Sequence, residues 1–137
     1  MILHRGRLLA FVLPAVVVMA CRTSTDDGRD YSQAVVRGVV RTSAGVPAPD
    51  INVRAQAFLA CGGNVYGEDV GLPRARTDAT GSYLLIVQSL ASPQRACVIV
   101  TGTSATGATV QSTLPNVDFR SSRGGAIDTV TADLVLP

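Results

Sequence analysis

Few side chains of this chain could do chemistry. It has one histidine, three cysteines and ten acidic residues. A histidine can serve as a general base, and cysteines can serve as nucleophiles or metal ligands. The histidine, His4, lies within the first twenty residues, which have the pattern of an export signal, and Cys21 follows that segment directly. Removal of residues 1–20 would leave residues 21–137 without histidine, so we expect no catalysis by a Ser-His or Cys-His pair.

Three further patterns fall short of a catalytic or metal site. Residues 102–107 read Gly-Thr-Ser-Ala-Thr-Gly, one residue longer than the nucleophile elbow of serine hydrolases. Glu68 and Asp69 are adjacent in a loop, whereas the carboxylates of glycosidases face each other across the substrate. Two cysteines without histidine make a poor zinc site. The sequence therefore predicts no enzyme, no catalytic residue, no metal and no cofactor.

The start of the chain predicts export and lipid attachment. Two arginines precede an apolar run over residues 8–20, which is too short to cross a bilayer of about 30 Å. With Ala20 before Cys21 and Val18 two residues earlier, the segment resembles the lipobox of bacterial lipoproteins. The resemblance implies lipidation of Cys21 as the mature N-terminus. Arg22 in the next position favours the outer membrane over the inner one.

Charge limits the partners of the exported part. Residues 21–137 contain ten arginines, no lysine and ten acidic residues, so their formal side-chain charge is zero. Nucleic-acid binding rests on clustered cations, and anionic membrane surfaces also attract basic segments. We therefore expect no nucleic-acid partner, and attachment to the membrane through lipid on Cys21.

Cys61 and Cys97 form an even pair once Cys21 is set aside. In an oxidising compartment such a pair is typical of a disulfide, which is our prediction. Two buried thiols or a metal site are the alternatives.

Composition divides the chain into three parts. Residues 1–20 form the signal peptide. Residues 21–33 comprise the lipidated cysteine and a polar segment without aliphatic side chains, which predicts a flexible tether. Residues 34–137 have the length of one domain with one core.

The predicted domain shows the period-two pattern of strands. Apolar and polar residues alternate over residues 51–57, which places Ile51, Val53, Ala55 and Ala57 on one face. The same pattern occurs over 36–41 and 129–136. Residues 83–87 and 97–100 are apolar on both faces, so we expect those two strands to be central and covered on both sides. Turn residues separate the strands at short intervals, which predicts an all-β sandwich of seven or eight strands.

Two segments together resemble the carboxypeptidase regulatory-like domain. They read Val36-Arg37-Gly38-Val39-Val40, with Gly45-Val46-Pro47 and a strand ending at Val53 after it, and then Thr77-Asp78-Ala79-Thr80-Gly81-Ser82-Tyr83. The resemblance spans about residues 35–136 and implies a transthyretin-like (prealbumin-like, Ig-like) sandwich.

These motifs also have a purely structural interpretation. In the second segment Asp78 can accept hydrogen bonds from the following amides, Gly81 can adopt positive φ, and Tyr83 can point into the core. We therefore assign Asp78 and Gly81 to a structural turn. In the first segment, Gly38 allows a neighbouring backbone to approach closely.

Binding is the activity that the sequence leaves open. The long loop over residues 62–73 contains Tyr66, predicted to be the best exposed aromatic, with Asn64, Glu68 and Asp69 beside it. Our first hypothesis is a lipid-anchored, non-enzymatic interaction or structural module of the cell envelope with a protein partner. The alternative is a small carbohydrate- or ligand-binding module that uses this loop. A plain surface loop held by the disulfide is the simplest interpretation.

Overall fold

A computed structural model describes residues 31–66, 73–89, 92–124 and 126–137. These residues form nine strands in two sheets and contain no helix, which confirms the all-β sandwich. The strands are β1 (Ser32–Thr42), β2 (Asn52–Phe58), β3 (Arg74–Arg76), β4 (Ser82–Ser89), β5 (Arg95–Thr103), β6 (Thr109–Asp118), β7 (Arg120–Ser121), β8 (Thr129–Thr131) and β9 (Leu134–Leu136). The predicted signal peptide, Cys21 and most of the predicted tether lie outside the described residues.

The first sheet is built around β1. Strand β4 pairs antiparallel with β1 on one side, while β7 (antiparallel) and then β8 and β9 (parallel) pair with it on the other. The break between β8 and β9 is stabilised by two bonds to β1: the Ala132 amide donates to the Arg37 carbonyl, and the Val39 amide donates to Asp133 Oδ1. Because of this break, the predicted last strand is two strands, which raises the count above the seven or eight expected.

The second sheet is antiparallel in the order β3-β2-β5-β6. Strand β5 is central, as predicted, and its register with β6 shifts between Ala96 and Val98. A shift of this kind bends the strand and increases its twist.

The core lies between the two sheets and follows the predicted alternation. All four residues predicted to point inward are buried: Val53, Ala55 and Ala57 of β2, and Ile51 directly before it. Opposite them, the first sheet contributes buried residues such as Val36, Val40, Leu85, Val87 and Leu134. Complete burial of a Val or Leu side chain contributes roughly 1.5–3 kcal/mol, so this interface is the main source of stability.

Two expectations about the first sheet are wrong. Strand β1 begins at Ser32, two residues before the predicted start of the domain, because Ser32 and Gln33 pair with both β4 and β7. Strand β4 is not covered on both sides: the residues Leu84 and Ile86 are 57% and 48% exposed. Among the described residues β4 pairs with β1 alone, so it is an edge strand.

Candidate functional site

The loop predicted to carry a binding site begins at a disulfide. Cys61 and Cys97 are joined, with Sγ atoms 2.02 Å apart and Cα atoms 5.2 Å apart. Cys97 lies opposite Phe58 at the end of β2, so the bond attaches the start of the loop to the central strand β5. The predicted disulfide is confirmed. It excludes the alternatives of two free thiols or a metal site at Cys61 and Cys97.

Tyr66 does not form an exposed platform. Its side chain is 0% exposed, and its ring packs edge to face on Phe119, with centroids 4.8 Å apart and planes at 67°. The backbone pairing next to β2 explains why the Tyr66 side chain points inward. Val65 bridges to Phe58 and the Tyr66 amide donates to the Ala57 carbonyl, so Tyr66 has the inward orientation of Ala57.

Buried polar contacts complete the surroundings of Tyr66. Its hydroxyl donates to the Ser92 carbonyl and bonds with Ser32 Oγ at 3.1 Å. Ser89 Oγ donates to the Tyr66 carbonyl at 2.6 Å. Such bonds are required when polar groups leave water, and here they join the start of β1, the end of β4 and the loop. Tyr66 is therefore a structural anchor, and the prediction of an exposed aromatic is wrong.

The other residues predicted for this loop do not form a site with Tyr66. Asn64 is exposed, and its carbonyl accepts a hydrogen bond from the Leu59 amide, which closes the tight turn after β2. Glu68 and Asp69 lie outside the described residues. A ligand site centred on Tyr66 is thus not supported by the geometry.

The turn before β4 has the geometry predicted for Asp78 and Gly81. Asp78 Oδ1 accepts from the amides of Thr80 at 2.8 Å and Ser82 at 2.9 Å, and from the Thr80 hydroxyl at 2.7 Å. The Thr80 hydroxyl, followed by the Ser82 and Thr80 amides, lowers the pKa of Asp78 because all three stabilise the carboxylate. Gly81 has φ of 75°, and a Cβ there would lie 2.5 Å from the Val40 carbonyl oxygen.

Tyr83 is the inward anchor that the motif predicts. Its side chain is buried, and its hydroxyl donates to the Ala132 carbonyl. Burial raises the pKa of Tyr83, and the negative charge of Asp133 raises it further. Gly38 lies opposite Tyr83 in the sheet, and a Cβ at Gly38 would lie 2.0 Å from the same Ala132 oxygen. The close backbone approach predicted at Gly38 is therefore present.

Two outer surfaces remain as candidate sites. We define the apolar face as Val35, Leu84 and Ile86, on the outside of β1 and β4. Ile86 lies directly opposite Val35 in the register, and Leu84 is the next outward residue along β4. Val35 is half-buried, whereas Leu84 and Ile86 are exposed.

The second surface is a groove on the outside of the β3-β2-β5-β6 sheet. We define the arginine groove by the polar residues that line it: Asn52, Arg54, Arg74, Thr103 and Thr109. It has a volume of about 530 Å³ and is open to solvent. Val53, buried in the core, forms part of its floor.

Within the described part of the chain, no group of three or more histidine, cysteine or acidic side chains could hold a metal ion. The same residues include no helix that is long and apolar enough to cross a membrane.

Comparison with known proteins finds a similarity of fold to a solved structure. No protein-family model matches the chain, and no curated protein matches it. Among solved structures it is similar to 3-chlorocatechol 1,2-dioxygenase from Rhodococcus opacus 1CP, with a TM-score of 0.51 and 11% sequence identity. The likeness is one of fold. It covers 80% of this chain and 62% of the dioxygenase chain, so this chain matches less than two thirds of that protein.

Sequence reasoning missed both outer surfaces. The alternation over residues 51–57 places Arg54 on an outward face, but the register that brings Arg74 opposite it is not contained in either segment alone. For the apolar face, the apolar run over residues 83–87 is compatible both with a central strand and with an edge strand. Strand order decides between the two.

Proposed function

We propose that this chain is a lipid-anchored β-sandwich of the bacterial cell envelope that acts as a non-enzymatic interaction module for a protein partner. In this proposal residues 1–20 are the signal peptide and Cys21 carries the lipid. A short tether then leads to the domain, which begins with β1 at Ser32. The outer membrane is the proposed location.

Export is supported by two independent features. The first is the lipobox-like sequence that ends at Cys21. The second is the Cys61–Cys97 disulfide, because such bonds persist in oxidising compartments and are rare in the reducing cytosol.

The proposed interaction role rests on the apolar face. Two of its three residues, Leu84 and Ile86, belong to the edge strand β4. Leu84 and Ile86 are each about half exposed, on an eight-residue strand with a single partner among the described residues. Edge strands have unpaired amide and carbonyl groups and are natural sites for the addition of another strand. The occupant we propose is an extended segment of a protein, whose backbone would pair with β4 while its apolar side chains cover Leu84 and Ile86.

A non-enzymatic role is supported by the inventory of side chains. His4 lies in the proposed signal peptide, which leaves the exported chain without an imidazole base. The dioxygenase is similar in fold at 11% identity, and sites of very different chemistry occur on one fold. We therefore do not extend that enzyme's activity to this chain.

For the fold we propose the transthyretin-like sandwich of carboxypeptidase regulatory-like domains. Support comes from the positions of its motifs: Gly38 lies within β1 against Ala132, and the turn formed by Asp78 and Gly81 leads into Tyr83. The alternative of a carbohydrate site on the 62–73 loop is not retained, because Tyr66 is buried.

Photocrosslinking in intact cells tests the interaction role. A photoreactive amino acid in place of Leu84 or Ile86 should give a discrete covalent adduct of the size of one protein partner. The same probe in place of Thr113, an exposed residue of β6 on the other sheet, is the matched control and should give none. Absence of an adduct at both positions, or equal labelling at all three, would contradict the proposal.

A further inference from the structure

The arginine groove contains two like charges in direct apposition. Arg54 of β2 lies opposite Arg74 of β3, and both side chains are exposed on the same outer face. Directly opposed residues on one face have Cβ atoms about 4.5–5.5 Å apart, and like charges in such positions are destabilising. Arg76 follows on the same face, opposite Asn52. The sheet therefore concentrates positive charge in a chain whose exported part has no net charge.

Neighbouring carboxylates do not neutralise this pair. Among the described residues, Asp50 lies 3.8 Å from Arg76, and Asp118 bonds with Arg95 and Arg120. Within that part of the chain, neither Arg54 nor Arg74 is within ion-pair distance of a carboxylate. Among the described residues, the pair therefore has no counter-charge, and its two guanidinium groups can interact with a bound anion.

The rest of the lining consists of hydrogen-bonding groups. Asn52, Thr103 and Thr109 lie around the two arginines, and Thr103 is directly opposite both Asn52 and Thr109 in the register. Short amide and hydroxyl side chains can both donate and accept, as can the hydroxyl groups of a sugar. The guanidinium fork of arginine binds a carboxylate through two parallel hydrogen bonds.

We propose that the arginine groove binds an acidic glycan, with Arg54 and Arg74 on its carboxylate groups and Asn52, Thr103 and Thr109 on its hydroxyl groups. A volume of about 530 Å³ lies within the range of small-ligand sites, roughly 300–1,000 Å³. A lipid surface or an apolar peptide fits less well, because Val53 is the one apolar residue among the described lining residues and is buried. The site is separate from the apolar face, so either proposal can fail without the other.

Binding of polygalacturonate, a polymer of acidic sugars, tests this site by titration calorimetry. The protein should bind it at low salt and bind more weakly at high salt, because exposed charges are screened. The double variant Arg54→Gln/Arg74→Gln should lose more than about tenfold in affinity, since hydrogen bonds to charged groups are each worth about 1.5–3 kcal/mol. Arg74→Gln alone, at the exposed start of β3, is the second variant and should show a smaller loss.

A control removes the same charge elsewhere. Arg95→Gln/Arg120→Gln deletes two arginines that flank Asp118. Arg95 is six residues along β5 from Thr101, the partner of Arg54, which is about 20 Å at 3.3 Å per residue. This variant should bind polygalacturonate as the unchanged protein does. Equal losses in the two double variants would overturn the site.

Further ligands identify the class. Neutral dextran should not bind; dextran affinity equal to that for polygalacturonate would overturn the role of charge. Polyglutamate and phosphatidylglycerol vesicles supply anions without sugar hydroxyl groups, so tighter binding to either would overturn the glycan assignment. No binding to polygalacturonate at low salt, or binding that survives Arg54→Gln/Arg74→Gln unchanged, would overturn the proposal as a whole.

Discussion

The rings of Tyr66 and Phe119 meet edge to face, with their centroids 4.8 Å apart. Phe119 precedes β7 in the first sheet, whereas Tyr66 lies beside the end of β2 in the second, opposite Ala57, so this contact joins the two layers at one end of the sandwich. Such pairs contribute about 0.5–1.5 kcal/mol beyond the burial of their surface. The loop predicted to be a functional element is, at this residue, part of the core.

Substitution of Tyr66 should therefore affect stability. Tyr66→Ala removes a fully buried ring, and the free energy of unfolding should fall by about 3–5 kcal/mol. Tyr66→Phe keeps the ring but leaves Ser32 Oγ and the Ser92 carbonyl without this partner, so a loss of about 1–3 kcal/mol is expected. Urea unfolding followed by circular dichroism measures both. Val65→Ala, at the exposed neighbour, is the control. A change below about 0.5 kcal/mol for Tyr66→Ala would contradict burial of the ring.

The different outcomes for β2 and β4 show what local pattern can predict. Strict alternation over residues 51–57 specifies the buried face of β2, because each polar residue excludes the opposite orientation. The sequence around Leu84 and Ile86 does not specify which face of β4 is buried, because apolar residues occupy both faces. Whether the outer face is covered depends on strand order, which is a long-range property.

The orientation of Tyr66 was also not predictable from composition. Gly62, Gly63 and Asn64 correctly indicate a turn, but the bridge between Phe58 and Val65 decides which residue of the loop points inward. By contrast, the turn at Asp78 could be predicted, because an Asx residue bonds to amides close by in the sequence.

The Cys61–Cys97 bond should contribute substantially to stability. It closes a loop with a sequence separation of 36, for which the chain-entropy relation gives about 4 kcal/mol. Cys61→Ala/Cys97→Ala should lower the midpoint of thermal unfolding, and a reductant should lower it for the unchanged protein but not for this variant. Mass spectrometry after alkylation of the unfolded, non-reduced protein provides an independent check. Alkylation of both Cys61 and Cys97 would contradict the bond.

Gly38→Ala should strongly destabilise the first sheet. A Cβ at this position would lie 2.0 Å from the Ala132 carbonyl oxygen and 3.0 Å from the Tyr83 ring. The backbone between β8 and β9 would have to move, and overpacking of this kind costs about 1–3 kcal/mol or more. Gly124→Ala, where a new Cβ meets nothing within 4 Å, is the matched control. Equal unfolding free energies for the two variants would show that the close approach is absent.

The stability of the domain should depend on the charge of Asp78 at acid pH. Its pKa is lowered from the ordinary value of 3.8 in the folded state. The contribution of the ionised carboxylate is therefore complete above pH 3.8 and disappears as the pH falls through the folded pKa. Asp78→Asn should be less stable than the unchanged protein at pH 7, and this difference should narrow in acid.

The source of that lowered pKa can be tested separately. Thr80→Val removes the hydroxyl with the largest effect, so the pKa of Asp78 should rise towards its ordinary value. Titration of the Asp78 carboxyl carbon by NMR measures the change. An unchanged pKa in Thr80→Val would exclude the hydroxyl as the main cause.

The proposed lipidation of Cys21 predicts how the protein partitions between membrane and solution. Acyl chains contribute about 0.8 kcal/mol per buried methylene group, and stable anchoring requires more than one chain or a second attraction. Residues 21–137 have no net side-chain charge to supply that attraction, so in this proposal lipid on Cys21 should account for nearly all membrane binding. Cys21→Ala should move the protein from the membrane pellet to the soluble fraction and abolish labelling by an alkyne-tagged fatty acid. Ser24→Ala, in the proposed tether that follows Cys21, should leave both the labelling and the pellet fraction unchanged. Membrane retention of Cys21→Ala would contradict the lipid anchor, while crosslinking at Ile86 would test the partner independently.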